Sequence, residues 1–290
     1  MSNAALYLVT VLIWGSTWLA IEFQLGVVEP EVSVVYRYLV ASFVLLIYCK
    51  INKLRLLFNL RYHFWFVLLG TFLFCLNYIL AYRAQIHLTS ALAAIAFSTM
   101  LWMNIILSRL IFGTRAGRRV LIGALLGIIG IVVLFAPLVG EVSLSDGVFY
   151  GSVLALLGAL MSSIGNMVSQ GAQNRSLPVL QSNAWGMLYG AILTAILSMF
   201  RGHPFTFDAT FTYIVSLVYL AIFGSVVAFG AYLTLLGRIG AHKAGYASVM
   251  FPVVALILSM SFEGLRLDVT IVLGASLVIL GNVLVLKEER

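Results

Sequence analysis

Charged residues are scarce in this chain, and their scarcity excludes a water-soluble globule. Of the 290 residues, 9% are charged and 62% are hydrophobic, whereas soluble domains carry about 25% charged and about 45–50% apolar residues. The sequence therefore predicts an integral membrane protein. The net charge of +7 does not indicate nucleic-acid binding, because the basic residues stand in short loops beside apolar segments, as cytoplasmic anchors do.

Cysteine is nearly absent, and histidine occurs only at scattered positions. Cys49 and Cys75 each lie inside an apolar segment, without the spacing of a metal site or a redox pair. The four histidines stand at loop edges on both sides of the predicted membrane, too far apart to bind one metal. Motifs of serine hydrolases, zinc proteases and phosphate-binding loops are missing as well. We therefore expect no enzymatic activity, no metal and no cofactor.

Long apolar runs make up most of what is present. A membrane-spanning helix needs roughly 17–25 mostly apolar residues, and ten segments have this character. The first lacks a preceding basic stretch, which predicts a transmembrane helix and not a cleaved signal peptide. In chain order the predicted spans are Ala4–Glu22, Ser33–Lys50, Phe64–Tyr82, Thr89–Arg109, Arg119–Ala136, Val148–Ser169, Val179–Phe200, Phe211–Leu233, Ala244–Phe262 and Val269–Leu286.

The placement of charges between these spans predicts the orientation of the chain. With the N-terminus inside, most Lys and Arg residues fall in cytoplasmic loops, including Arg118 and Arg119, whereas the outer loops hold acids such as Glu29 and Asp208. Cytoplasmic loops of membrane proteins carry this excess of basic residues. We therefore expect both termini in the cytoplasm.

The chain also contains an internal repeat. Sliding the sequence so that Gly113 falls on Gly264 aligns further glycines and a loop arginine, over spans four and five and then nine and ten. Corresponding spans are five apart, and an odd number of crossings inverts the second copy. The sequence thus predicts an all-α membrane protein of ten transmembrane helices, built as two inverted five-helix repeats, 1–136 and 137–290, that form one transport unit.

These features resemble the drug/metabolite transporter superfamily, in particular its EamA-type repeat. The resemblance covers the whole chain and includes Trp14-Gly15-Ser16 in the first span and the turn Phe262-Glu263-Gly264 before a Gly-rich last span. The first copy has Phe112 where that family often has Glu before the Gly. Length and aromatic content are most similar to the YddG-type amino-acid exporters. The resemblance implies alternating access and a central cavity lined by spans other than five and ten, in the bacterial inner membrane.

Small residues form stripes along the fifth and tenth spans. Such stripes let helix backbones approach closely where lipid supplies no hydrophobic drive. We therefore predict that these two spans pack as scaffold and do not contact substrate. The glycines are Gly123, Gly127, Gly130, Gly274 and Gly281.

Candidate substrate-binding residues are the polar and aromatic side chains near the middle of the other spans. A transmembrane Ser or Thr can instead bond its own helix backbone, and Tyr82, Tyr232 and Tyr246 stand close enough to span ends to belong to an interfacial belt. Both interpretations stay open for each residue. The candidates are Trp14, Thr17, Asn77, Tyr78, Tyr82, Ser98, Trp102, Ser162, Asn166, Tyr232 and Tyr246.

Ionisable residues at membrane depth, which usually indicate ion coupling, are almost missing. Arg37 stands about a turn from the outer end of its span and is expected to extend its charge to the interface, with Glu22 as a partner. We therefore expect transport not to be driven by protons through a buried carboxylate. Pro252 interrupts the ninth span and is a candidate gating hinge.

The predicted cavity, with aromatic and uncharged polar walls, suits small amphipathic metabolites and offers no fixed counter-charge. The family resemblance implies export of amino acids, aromatic and other neutral ones. A second interpretation is export of drug-like or quaternary cations such as methyl viologen through cation–π contacts, and a membrane enzyme or a structural subunit is an alternative of another class. Expected partners are the small-molecule substrate and the lipid bilayer, without nucleic acid, in a monomer or weak dimer.

Overall fold

The computed structural model describes residues 1–141, 146–262 and 269–286, and within these ranges the chain is helical throughout, apart from its loops. This confirms the prediction of an all-α membrane protein. Two of the helices contain a π-helical stretch, here named π1 and π2. The elements are α1 Asn3–Glu22, α2 Pro30–Ile51, α3 Leu60–Leu69, π1 Gly70–Leu76, α4 Asn77–Gln85, α5 Ser90–Ser98, α6 Met100–Phe112, α7 Arg118–Glu141, α8 Asp146–Gln173, α9 Val179–Phe200, α10 Phe211–Tyr219, π2 Leu220–Val227, α11 Ala228–Ile239, α12 Ala241–Ala244, α13 Ala247–Phe262 and α14 Val269–Leu286.

Seven of these helical stretches are long and apolar enough to cross a membrane. They coincide with the first four predicted spans and with the sixth, seventh and eighth. The fifth, ninth and tenth predicted spans are helical as α7, α13 and α14, and their crossing of the membrane stays a prediction. The seven stretches are Asn3–Glu22, Pro30–Ile51, Leu60–Gln85, Leu92–Phe112, Asp146–Gln173, Val179–Phe200 and Phe211–Ile239.

The two π segments stand at matching positions of the internal repeat. The shift that places Gly113 on Gly264 places Gly70 on Ala221 and the end of π1 on the end of π2. The glycine at the start of π1 permits a close helix contact, since a Cβ there would lie 2.7 Å from the carbonyl oxygen of Gly186 in α9. Such π turns inside α-helices are frequent at functional sites.

Helices α7 and α14 pack against each other through their glycines. A Cβ on Gly123 would lie 2.6 Å from the carbonyl oxygen of Gly281, and a Cβ on Gly130 would lie 2.7 Å from that of Gly274. Since the lower number on α7 meets the higher number on α14, the two helices run antiparallel. Gly127 faces a different neighbour, the hydroxyl of Tyr246, 2.7 Å from the position of its missing Cβ.

The remaining helices pack in pairs that repeat between the two halves. Helix α1 contacts α11 and α13, and α8, its counterpart in the repeat, contacts α4 and α6. Helix α2 packs along α9, and α5 along α13. The space enclosed by α1, α4, α5, α8, α11 and α13 lies away from the α7–α14 pair.

Two features that the sequence singled out lie in the second half. Pro252 is buried inside α13, where its missing N–H removes one intrahelical hydrogen bond. In the turn Phe262-Glu263-Gly264, Phe262 ends α13 and the other two residues lie outside the described ranges. The gating role of Pro252 stays a prediction.

Replacing Gly130 by Ala is expected to destabilise the protein by about 1–3 kcal/mol, the usual cost of overpacking. The added methyl would press on the carbonyl of Gly274 and on Val278. Gly230→Ala is the matched control, because no heavy atom lies within 4 Å of a Cβ at that helical position, and Ala gains roughly 0.5–1 kcal/mol over Gly in a helix. Thermal unfolding in detergent measures both. An equal rise in Tm for the two variants would contradict close packing at Gly130.

Candidate functional site

A cavity lies between the two halves of the chain. Every side chain that lines it is buried, so the cavity sits within the helix bundle and not on its lipid-facing surface. The lining comes from α1, α4, α5 and α6 in the first half and from α8, α11 and α13 in the second. The lining residues are Trp14, Thr17, Trp18, Ile21, Asn77, Tyr78, Ala81, Phe97, Met100, Ser162, Phe229 and Phe251.

Helix α1 contributes one continuous face to this cavity. Thr17 and Trp18 stand three and four residues after Trp14, and Ile21 stands four and three residues after them, a spacing that places side chains on the same side of a helix. The ring of Trp14 contacts Phe229 edge-on at 4.7 Å and Phe251 at 5.7 Å, measured between ring centroids. The wall therefore has an aromatic layer that bridges both halves.

The indole N–H of Trp14 is already occupied. It donates to the carbonyl oxygen of Gly224, within π2, at 2.9 Å. Similarly, the hydroxyl of Thr17 donates to the carbonyl of Trp14 at 2.8 Å, within its own helix. These two residues consequently offer apolar surface to the cavity, and their donors hold the scaffold.

Two polar groups of the lining have spare hydrogen-bonding capacity. Asn77 donates through Nδ2 to the carbonyl of Leu73 at 3.3 Å, while its Oδ1 is buried and has no partner among the described residues. Because a carbonyl oxygen can only accept, the atom of the Asn77 amide that faces Leu73 must be the nitrogen, and Oδ1 is the atom left without a partner. The hydroxyl of Ser162 likewise makes no hydrogen bond within the described part of the chain. An acceptor and a hydroxyl are thus available to a ligand.

The structure brings five predicted residues together in the cavity lining: Trp14, Thr17, Asn77, Tyr78 and Ser162. The remaining six lie elsewhere. Ser98 donates to the carbonyl of Ile95 at 2.6 Å, inside its own helix. Trp102 packs against the apolar cluster that includes Val120 and Val278, beside α7 and α14.

Asn166 and Tyr232 belong to a buried polar layer beneath the cavity. Asn166 donates to the hydroxyl of Tyr232 at 3.0 Å and to Oδ1 of Asn104 at 3.3 Å, and Ser163 donates to the same oxygen. Asn104 in turn donates to the carbonyl of Ala241 at 3.3 Å. The layer ties α6, α8, α11 and α12 together, and Tyr232 supports the cavity wall from behind, 4.9 Å from the ring of Trp14.

Tyr82 and Tyr246 are fully buried as well, so neither belongs to an interfacial belt. The hydroxyl of Tyr246 donates to the carbonyl of Gly123 at 2.5 Å and so fastens the start of α13 to α7. Tyr82 accepts from Arg37 at 3.4 Å and donates to Gln24 at 3.0 Å.

Seven lining residues are not among the candidates predicted from the sequence, and six of them are apolar. A signal for two of the seven existed in the sequence, since Trp18 stands one turn after Trp14 and the repeat places Phe229 on Tyr78. The other five are Ile21, Ala81, Phe97, Met100 and Phe251.

The expectation for Arg37 was wrong. Its side chain is fully buried and does not extend to the interface. Glu22 is not its partner, since that carboxylate is exposed and accepts from Ser90 at 3.2 Å. Arg37 lies directly behind Tyr78, with its guanidinium carbon 4.6 Å from the ring centroid. A fixed positive charge therefore stands beside the cavity, contrary to the prediction of an uncharged site.

Glu31 is a second buried charge, counted from the sequence as an outer-loop acid. It is fully buried in the first turn of α2, and its Oε1 accepts from Arg83 at 2.6 Å and from Arg201 at 2.9 Å. His203 lies 3.6 Å from its other oxygen. Glu29, Glu31 and His203 have the geometry of possible metal ligands, but the two arginines already neutralise Glu31. The cluster joins α2, the end of α4 and the loop after α9.

Comparison with known proteins supplies a family. The sequence profile described as the EamA-like transporter family matches residues 1–136 and again 149–287. The Escherichia coli K12 protein described as an uncharacterized inner membrane transporter, YedA, is 27% identical over 281 residues, covering 94% of this chain and 87% of that protein.

Two further comparisons agree. A probable amino-acid metabolite efflux pump of the same Escherichia coli strain is 25% identical over 287 residues, covering 96% of this chain and 93% of the relative. A protein of known crystal structure superposes with a TM-score of 0.77 at 18% identity, over 100% of this chain and 99% of the other. The latter likeness indicates a shared fold.

Removing the buried charge of Glu31 is expected to lower stability. Glu31→Gln loses ionic hydrogen bonds to Arg83 and Arg201, which are 30% and 53% exposed, so we expect a loss of about 1–3 kcal/mol after allowance for solvent screening. Glu22→Gln is the matched control, because that carboxylate is exposed. An equal shift of Tm in both variants would contradict a stabilising role of the Glu31 cluster.

The Glu22→Gln variant also tests proton coupling. Loss of transport at normal expression would show that the Glu22 carboxylate relays protons, contrary to the expectation from the sequence.

Proposed function

Because the chain belongs to the EamA-like transporter family, we propose that it exports neutral amino acids, aromatic ones among them, through the cavity between its halves. The observation that carries the proposal is the composition of this cavity. Its walls are largely aromatic, and it offers the unpaired Oδ1 of Asn77 and the hydroxyl of Ser162. Stacking surface combined with a few placed polar groups is typical of small-molecule sites.

Each part of an amino acid has a counterpart in the cavity. The rings of Trp14, Trp18, Phe97, Phe229 and Phe251 provide contact surface for an apolar side chain. Oδ1 of Asn77 can accept a hydrogen bond from an ammonium group. This bond would be favourable, because a buried acceptor without a partner costs about 1–3 kcal/mol. The proposal assigns substrate contact to the five predicted residues that line the cavity and to their apolar neighbours.

The mechanism that we propose is alternating access between two inverted repeats. Three observations support it: the family profile matches the chain twice, the π segments stand at matching positions, and the corresponding helices α7 and α14 run antiparallel. In transporters of inverted repeats, the substrate binds near the midplane where the halves meet. Pro252, one position after the lining residue Phe251, is the proposed hinge.

The relatives support the location and the substrate class of this proposal. One is described as an inner membrane transporter and another as a probable amino-acid metabolite efflux pump. We accordingly propose a multi-pass protein of the bacterial inner membrane with both termini in the cytoplasm, as the distribution of Lys and Arg favours. The aromatic lining would also accept a quaternary cation, but the positive charge of Arg37 beside the cavity opposes one.

Counterflow in proteoliposomes tests the proposal directly. Proteoliposomes that contain the purified protein and are preloaded with unlabelled phenylalanine are expected to accumulate labelled phenylalanine. Trp18→Ala is expected to weaken transport of phenylalanine more than transport of alanine, because the contact with the substrate ring is lost. Trp102→Ala is the control, since its ring lies outside the cavity, and it should affect both substrates equally. Absence of counterflow for every amino acid tested would refute the proposed function.

Labelling of engineered cysteines tests the inversion. In a background without Cys49 and Cys75, Arg115→Cys should react with a membrane-impermeant maleimide from the cytoplasmic side and Arg266→Cys from the outside. The repeat aligns these two positions, so inverted halves must place them on opposite faces. Reaction of both from one side would make the halves parallel and would exclude the proposed mechanism.

A further inference from the structure

Arg37 carries a charge that no acid in the described part of the chain neutralises. Its side chain has no exposed surface, and the ion pairs among the described residues all involve Glu31 and never Arg37. The guanidinium lies instead over the rings of Tyr78 and Tyr38, at 4.6 and 5.5 Å from their centroids. Buried charges in membrane-spanning segments are rare and usually belong to substrate or ion pathways.

The guanidinium has unused hydrogen-bond donors. Its Nε donates to the hydroxyl of Ser225 at 2.9 Å, and its two terminal nitrogens donate to Tyr82 and Tyr78, both at 3.4 Å. A guanidinium has five N–H groups, so each terminal nitrogen retains one N–H without an acceptor among the described residues. Two N–H groups on the terminal nitrogens are the pair that binds a carboxylate bidentately.

The hydroxyls around Arg37 show where a ligand would bind. Each accepts from the guanidinium and must direct its own proton elsewhere, since arginine only donates. Ser225 donates to the carbonyl of Leu220 at 2.9 Å, and Tyr82 donates to Gln24 at 3.0 Å. The hydroxyl of Tyr78 accepts from Arg37 and interacts with the buried hydroxyl of Tyr38, and Tyr78 lines the cavity. Tyr78 therefore connects Arg37 to the cavity wall.

Arg37 lies one side chain away from the cavity. The position that a Cβ would occupy on Gly224 is 3.1 Å from a terminal nitrogen of Arg37 and 3.1 Å from Cγ2 of Thr17. Thr17 and Tyr78 both belong to the lining. Thr17 and Tyr78 are therefore the wall residues nearest to the guanidinium.

We infer that Arg37, with the hydroxyl of Tyr78, binds the carboxylate of the transported molecule. The inference rests on the proposed function and narrows it, because the substrate must then carry a carboxylate group. An amine of the same shape without that group is expected to be a poor ligand, since it would bring a second positive charge toward Arg37. The arginine thus selects by the sign of the charge, whereas the aromatic walls select by shape.

Three ligands with the same phenyl ring distinguish the contribution of the carboxylate to binding from that of the amine. Phenylalanine carries both groups, 3-phenylpropionate carries only the carboxylate, and phenethylamine carries only the amine. We expect the purified protein to bind the first two more tightly than the third in calorimetric titrations. Arg37→Gln should weaken both carboxylates about tenfold or more, the worth of a hydrogen bond to a charged group, and should leave phenethylamine unchanged or strengthened.

Control variants distinguish recognition from general damage. Arg83→Gln removes an arginine of the outer cluster and should keep the wild-type ratio of the three affinities. If Arg37→Gln does not fold, Tyr78→Phe and Arg37→Lys replace it, because both keep a positive charge in the site and should still reduce the preference for carboxylates. Unchanged ratios in the folded variants would overturn the inference.

The titrations and the counterflow assay together distinguish failure of this inference from failure of the proposed function. Counterflow of phenylalanine in the wild type together with unchanged ratios in the Arg37 variants refutes the carboxylate site and leaves amino-acid export standing. Binding of 3-phenylpropionate that depends on Arg37, without counterflow of any amino acid, refutes amino-acid export and supports the anion site. Failure to bind all three ligands overturns both.

Discussion

The structure depends on the rule that a polar group inside a bilayer must find its partner within the protein. Trp14 of the first half donates to Gly224 of the second, and Asn166 donates to Asn104 and Tyr232, which joins α8 to α6 and α11. These bonds, together with the apolar packing between the same helices, fix the relative positions of the helices. Among the buried polar atoms without partners in the described part of the chain, Oδ1 of Asn77 is the one that lines the cavity, where a ligand would complete its hydrogen bonding.

The glycine contacts explain why the cavity can exist. Helices α7 and α14 approach backbone to backbone, and π1 does the same against α9, so these contacts hold without large side chains. The cavity lies elsewhere in the bundle, where aromatic rings of α1, α4, α5, α11 and α13 form its walls.

Composition and the long apolar runs predicted the all-helical membrane fold, because both are properties that can be read directly from the chain. They also predicted the polar part of the cavity lining, since uncharged polar residues are conspicuous in apolar helices. Phe97 and Phe251 could not be distinguished from lipid-facing or core side chains by spacing alone. Arg37 was misjudged because its distance from the span end is compatible with an exposed charge, and only the position of Ser225, far along the chain, reveals that the side chain turns inward.

If the carboxylate site proposed above exists, the buried guanidinium sets how strongly the cavity discriminates between ligands. Contact with tyrosine rings stabilises a desolvated cation by about 2 kcal/mol, which is less than the several kcal/mol that desolvation costs. A carboxylate about 4 Å away contributes roughly 4 kcal/mol at the effective dielectric constant of such sites, and an ammonium at the same distance is disfavoured by as much. Specificity is a difference between these two free energies. One arginine behind the wall can therefore exclude amphipathic amines that the aromatic surface alone would accept.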